Sequence, residues 1–292
     1  MLSKEILKKV RKIQYKISRI SNEMISGQYT SVFKGAGIEF DEVREYVPGD
    51  DIRSIDWNVT ARSGVPHIKR FAEERELTLM LAIDLSGSQR FGSVGPLKSE
   101  LAAELSALLA FLAIKNNDKV GLLIFTDTCE KYLPPQKGRR HVLRVIREIL
   151  GYQPSGTGTR IEEALKFVNK ILKQRSIVFL VSDFMDDNFE KVMGTTARRH
   201  DLVAVRIRDP KESELPSVGL VEFQDNETGR RVLVDTSAGQ VREMVRAKAE
   251  QRDELLAKLF RRNKVDLIDI LTDQPYLGPI QRFFKLRERR MR

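Results

Sequence analysis

A chain of 292 residues, 41% hydrophobic and 32% charged, is long enough for one large domain or two modest ones and has a soluble globular composition. Its single thiol, Cys129, excludes an internal disulfide and points to a reducing compartment. The net charge of +10 is terminal: residues 1–20 carry seven Lys/Arg against one acid and residues 281–292 carry six against one, so the body between them is nearly neutral.

In chain order, residues 3–20 place Ile6, Val10, Ile13, Ile17 and Ile20 on one stripe and lysines on the other, the pattern of an amphipathic helix. Lys8, Lys9, Arg11, Lys12 and Lys16 run through the place where a signal peptide needs an apolar core, which predicts a cytoplasmic protein. Residues 21–76 change character. Gly27, Gly35, Gly37, Pro48, Gly49, Gly64 and Pro66 separate short alternating runs, as in a small β-rich module with tight turns.

From residue 77 strands and helices alternate. Strands are predicted over 77–83, 120–125, 129–133, 177–181, 202–207 and 265–271, and helices over 97–114, 141–150, 161–172 and 241–260. The 101–114 segment is broken by Glu104 and is shorter than the roughly 18 apolar residues of a membrane span, so it reads as a buried helix. Residues 220–234 read as a hairpin, because Asp225-Asn226-Glu227-Thr228-Gly229 divides two β-prone runs. Strands apolar on both faces and separated by helices predict an α/β fold, a mostly parallel sheet with helices on both faces. The predicted organisation is a helix and β module over 1–76, an α/β domain over 77–275 and a basic tail over 276–292.

Ligands of such a sheet bind at the carboxyl ends of its strands. Three polar clusters fall there. Asp84, Ser86 and Ser88 follow the first buried strand, Gly156-Thr157-Gly158-Thr159 precedes a helix, and Ser182-Asp183 ends the 177–181 strand. Alternate residues of an extended loop point the same way, so Asp84, Ser86 and Ser88 converge, with Gly87 permitting a tight turn. Hydroxyl and carboxylate oxygens are hard ligands suited to Mg²⁺, or to Mn²⁺ or Ca²⁺; zinc would need thiolates or paired histidines. Ser86, Thr159 and Asp183 could each serve instead as a helix cap. His67, His141 and His200 are scattered and read as surface or packing residues.

This combination resembles the metal-ion-dependent adhesion site of von Willebrand factor A domains, with Asp84, Ser86 and Ser88, a hydroxyl in GTGTRIEEAL, and Asp183 in IVFLVSDF. The resemblance implies a Rossmann-like fold over 77–275 and a metal with one position open to a partner's Asp or Glu. By the family's spacing to Ala164-Leu165, the threonine ligand is Thr159, with Thr157 as runner-up.

Residues 35–62 interleave Arg44, Arg53 and Arg62 with Asp50, Asp51 and Asp56 around Phe40, Tyr46 and Trp57. Arg–carboxylate pairs and stacking could brace a module with little core; a partner surface is the alternative. Gly35, Gly37, Phe40, Arg44, Tyr46, Gly49, Asp50, Arg53, Asp56, Trp57, Ala61 and Arg62 strongly resemble the signature of the family known as domain of unknown function fifty-eight. That resemblance implies work with a MoxR-type AAA+ ATPase in assembly, metal insertion or maturation of other proteins. The expectation is a non-enzymatic, metal-dependent protein-binding adaptor. A Mg²⁺-dependent phosphohydrolase would want a second Asp where Ser86 stands. Nucleic-acid binding through the basic termini has no stacking motif to support it. No GxxxxGK loop is present to cradle ATP.

Overall fold

Val10, Ile13 and Ile17 lie buried along one side of helix α1 (Lys4–Ile20), as the apolar stripe demands. The computed structural model describes residues 4–20, 27, 29, 32–33, 39–72, 76–93, 96–227 and 229–291. They divide into two units: Phe33–Leu77 alone, and Met1–Val32 together with Thr78–Arg292. Helix α1 thus belongs to the larger unit rather than to the β module with which the sequence groups it. It packs against helices over residues 98–115 and 139–151, far along the chain, and local spacing carries no sign of them.

In the smaller unit, β1 (Glu39–Glu45) pairs antiparallel with β2 (His67–Ala72). Between them lie a 3-10 turn, Ile52–Ser54, and a short helix, α2 (Trp57–Ser63). Arg44 grips Asp50 through two bonds of 2.9 and 2.7 Å, and Asp50 also accepts from the Val47 N–H at 2.9 Å. Gly49, with φ +112°, turns the chain between them in a conformation open to glycine. Tyr46 donates its N–H to the Pro66 carbonyl at 2.8 Å. Asp56 caps α2 by accepting from the N–H groups of Asn58 and Val59. Arg53, Trp57 and Arg62 are exposed, and no ion pair or ring stacking holds them among the described residues. The bracing expected of the interleaved charges therefore rests on Arg44, Asp50 and Asp56. Gly35 and Gly37 lie outside the described residues, as does the side chain of Phe40, whose backbone pairs with Phe71.

In the larger unit, β3 (Thr78–Asp84) buries every residue after Thr78. Next come α3 (Lys98–Lys115), β4 (Lys119–Phe125), β5 (Cys129–Gln136), α4 (Arg139–Gly151), α5 (Ile161–Ile171) and β6 (Ile177–Ser182). The chain continues through α6 (Glu190–Arg199), β7 (Asp201–Arg208), a hairpin of β8 (Leu220–Gln224) and β9 (Arg231–Asp235), α7 (Gly239–Asn263), β10 (Asp266–Leu271) and α8 (Leu277–Met291). The six-stranded sheet runs β10-β7-β6-β3-β4-β5, with every pairing parallel except that of the edge strand β5. β5 carries Pro134 and Pro135, which an edge tolerates because one row of ladder bonds is missing there.

One face of the sheet, with Met80, Ala82, Val178 and Leu180, packs against Ile161, Leu165, Met193 and Phe260 of α5, α6 and α7. The opposite face, reached by the alternate residues, meets α3, α4 and α8. Two elements depart from the sequence reading. Helix α6 is hidden by Gly194 and two threonines, residues that weaken a helical pattern. Within the 276–292 stretch predicted as a tail, Leu277–Met291 form α8, whose Ile280, Phe283 and Phe284 are buried, with Phe283 edge-on to Phe179 of β6. The basic residues of α8 mask an apolar face.

Candidate metal centre

The chain leaves β3 toward β4 on one side and leaves β6 toward β7 on the other, while β3 and β6 pair in parallel. A crevice opens at this switch point, above the carboxyl ends of the two strands. Asp84 closes β3 and is fully buried. Its Oδ1 accepts the Ser86 N–H at 2.9 Å and its Oδ2 accepts the Ser182 hydroxyl at 2.6 Å. The Ser86 and Ser88 hydroxyls lie 3.0 Å apart. Burial, and then the negative charge of Asp183, push the Asp84 carboxyl up to about 7.

The second loop is tied to the first, for the Gly87 N–H donates to the Thr157 carbonyl at 2.7 Å. Glu130 of β5 shapes this loop. Its Oε1 accepts the N–H groups of Ser155 and Gly156 at 3.0 and 2.8 Å and the Thr126 hydroxyl at 2.9 Å. Burial works to raise the Glu130 carboxyl, but these donors outweigh it and hold the group below its ordinary value. Thr159 donates its hydroxyl to Glu227 Oε1 at 2.8 Å, whereas the Thr157 hydroxyl goes to the Glu227 carbonyl at 3.0 Å. Thr159 thus faces a carboxylate, and Thr157 spends its hydroxyl on backbone.

Asp183, one residue beyond β6, is buried. Its Oδ1 accepts the Met185 N–H at 3.1 Å, and its Oδ2 accepts Lys98 Nζ at 2.8 Å. Lys98 is wholly buried and also donates to Glu212 Oε1 at 2.5 Å. Burial disfavours its ammonium, yet Asp183 and Glu212 together hold the group above its ordinary value.

Helix capping does not account for these side chains. The first N–H of α5, on Ile161, goes to Asp186 Oδ2 at 2.7 Å and not to Thr159. Ser86 makes no side-chain bond to the 3-10 turn Gly87–Arg90 that follows it, and α6 begins seven residues after Asp183. Two strand ends, those of β3 and β6, bring Asp84, Ser86, Ser88 and Asp183 together. Thr159 comes from the loop joining α4 to α5 and not from a third strand end as the sequence order suggests, because α4 intervenes after β5. Glu227 is bonded to Thr159, close to Ser88 and within the field of Asp183. The donor set is two buried carboxylates and three hydroxyls, chemistry that fits a hard divalent cation and not zinc. No group of three His, Cys, Asp or Glu side chains suited to a metal occurs among the described residues. His141 bonds the Val120 carbonyl, His67 the Val65 carbonyl, and His200 is buried at the end of α6. Cys129 is half-buried, and burial raises its thiol, as in an inert packing cysteine.

Four residues of the site escape sequence reasoning. Lys98 carries a faint signal, a cation in the first turn of an apolar helix where the dipole disfavours it. Glu130, Glu212 and Glu227 carry none, because each is defined by a contact from a distant strand, turn or hairpin.

A profile of the family described as "Protein of unknown function DUF58" matches residues 42–254. The chain belongs to the DUF58 family. This DUF58 chain is 30% identical over 285 residues to an uncharacterized protein of Mycobacterium bovis, covering 96% of the chain and 89% of that protein. Among solved structures it is similar to an aerotolerance-related membrane protein from Bacteroides fragilis carrying multiple mutations to serine. The TM-score is 0.50 at 15% identity, over 74% of this chain and all 100% of that one. It is also similar, more loosely, to the SpRpn10 VWA domain, with a TM-score of 0.38 at 14% identity over 70% and 93% of the two chains. The larger unit of the DUF58 chain is a Rossmann-like α/β domain, with the mostly parallel strand order described above. Among the described residues, no helix of the DUF58 chain is long and apolar enough to cross a membrane.

Proposed function

We propose that this DUF58 chain is a non-enzymatic adaptor in the cytoplasm that binds an acidic group of a partner protein through a divalent cation. Asp84, Ser86, Ser88, Thr159 and Asp183 would hold Mg²⁺, with Mn²⁺ or Ca²⁺ as substitutes. When bound, the cation supplies a Lewis-acidic centre able to accept an outside Asp or Glu oxygen. The observation that carries this reading is the meeting of three hydroxyls and two buried carboxylates, drawn from two strand ends and the loop between α4 and α5, with no capping role to occupy them.

The chain's own residues do the positioning. Ser182 and the Ser86 N–H fix both oxygens of Asp84, Lys98 and the Met185 N–H fix Asp183, and Glu130 fixes the loop of Thr159. A cleft lined by Leu85, Gln89, Leu97, Tyr152 and Pro154 lies beside the first loop and offers a partner's flanking residues a surface. Binding is favoured over hydrolysis because the position that a phosphohydrolase gives to its acid holds Ser86, bonded to Ser88. Nucleic-acid binding loses ground because Arg287 of the basic terminus is engaged with Asp201 and Asp266, and Arg290 with Asp266. By family resemblance the partner is a MoxR-type AAA+ ATPase or its client, in assembly or maturation of other proteins.

The test is affinity capture from the native lysate with wild type and Asp84→Ala, in Mg²⁺ and in EDTA, read by mass spectrometry. The proposal expects a set of proteins held only by wild type in Mg²⁺. Capture unchanged by EDTA would sink it.

A further inference from the structure

The hairpin β8–β9 is mostly exposed, and a two-stranded ribbon of this size has little stability of its own. Its tip is nevertheless seated on the candidate metal centre. The Asn226 carbonyl lies so close to Gly87 that a Cβ there would stand 2.4 Å from its oxygen. The Glu227 carbonyl accepts the Thr157 hydroxyl at 3.0 Å, and Glu227 Oε1 accepts the Thr159 hydroxyl at 2.8 Å. The turn is braced from within, since Asp225 Oδ1 accepts the Glu227 N–H at 2.9 Å and the Asp225 carbonyl accepts the Gly229 N–H at 2.8 Å.

The direction of Glu227 is the informative feature. A glutamate at the tip of an exposed hairpin is free to point its carboxylate into water. This one turns inward, half-buried, toward Ser88 and Thr159 and into the field of Asp183. Bringing this carboxylate into the field of buried Asp183 disfavours the charged forms of both, and a positive charge between them would relieve it. Lys98 is not that charge, for it is bonded to Asp183 and Glu212.

We propose that Glu227 is the chain's own ligand to the cation, holding the position that a partner's carboxylate takes when it displaces the hairpin. This deepens the adaptor reading and rests on its cation site. The hairpin then acts as an internal competitor: a partner's acidic residue binds only by exchanging with Glu227, which screens out weak carboxylates. Glu227→Gln keeps an oxygen for Thr159 and removes the charge, so it separates ligation from packing.

The experiment uses the full chain with Mn²⁺ alone as probe. Mn²⁺ affinity is read by electron paramagnetic resonance, and amide exchange across residues 220–235 is followed with and without saturating Mn²⁺, in wild type, Asp84→Ala and Glu227→Gln. The expected result is slower exchange of the hairpin in wild type on Mn²⁺ addition and no binding by Asp84→Ala. Glu227→Gln should bind at least about tenfold more weakly, a loss seen even for residues that only orient a ligand, and its hairpin exchange should not respond to Mn²⁺. If wild type binds Mn²⁺ and Asp84→Ala does not, but Glu227→Gln keeps wild-type affinity or wild-type protection, the proposal falls and the cation site stands. If wild type binds no Mn²⁺, the cation site falls and this proposal with it.

Discussion

Lys98 Nζ lies 2.8 Å from Asp183 Oδ2 and 2.5 Å from Glu212 Oε1, with its whole side chain out of contact with water. A buried cation in the first turn of a helix opposes the helix dipole, so its two carboxylates, not α3, determine its place. Lys98→Met should leave both uncompensated and destabilise the protein by about 3–5 kcal/mol, the usual result of removing one member of a buried ion pair. Urea denaturation checks this. If a cation binds beside Asp183, Mg²⁺ restores part of the loss in Lys98→Met; no Mg²⁺ response in that variant argues against the site.

Gly87 is required by the approach of the hairpin and not by its own backbone angles. Gly87→Ala drives a Cβ to within 2.4 Å of the Asn226 carbonyl, backbone that no side-chain rotation relieves. The tip must lift, at a cost of about 1–3 kcal/mol. Faster amide exchange across residues 220–235, with exchange in β3 and β6 unaltered, is the expected outcome. An unchanged hairpin would mean that the close approach is not kept in solution.

Arg206 and Arg208 of β7 both reach Asp253 of α7 and Asp269 of β10, at 2.6 to 3.1 Å. Burial works to raise the Asp269 carboxyl, but the two guanidinium groups outweigh it and hold it below its ordinary value. A depressed folded value means that Asp269 contributes stability above its unfolded value, about pH 4, and loses it as pH falls through the folded one. Asp269→Asn, which leaves the nearly buried Arg206 short of a partner, should cost about 2 kcal/mol at pH 7. Melting curves from pH 7 downward should show the gap to wild type constant until about pH 4 and closing below it.

Phe284 of α8 is fully buried and stacks edge-on with Tyr29. Phe284→Ala should cost about 3–5 kcal/mol in urea denaturation. A loss under 1 kcal/mol would mean that residues 277–291 behave as the loose tail their charge suggests.

The contrast between α8 and α1 shows what is legible along a chain. Both are basic amphipathic helices. In α1 five β-branched residues recur at helical spacing and announce a buried face. In α8 the adjacent pair Phe283-Phe284 and a high density of arginine obscure the period, so composition reads as tail. At the site, Asp84, Ser86 and Ser88 are visible because one loop carries them at alternate positions. Thr159 and Thr157 stay alternatives, since both hydroxyls fit the same motif and only the third dimension separates one facing a carboxylate from one facing a carbonyl.

By itself the sequence determined the alternation of buried strands and helices, the hairpin, and the polar residues after β3, after β6 and before α5, because periodicity and turn chemistry act over a few residues. Only the tertiary structure decided which strand ends adjoin, that Lys98 faces Asp183, and that Glu227 turns inward. Those relationships join residues separated by 85 positions for Lys98 and Asp183 and by 68 for Thr159 and Glu227. They arise from sheet order and from the desolvation of charges that must find partners across that distance, and no local pattern encodes either.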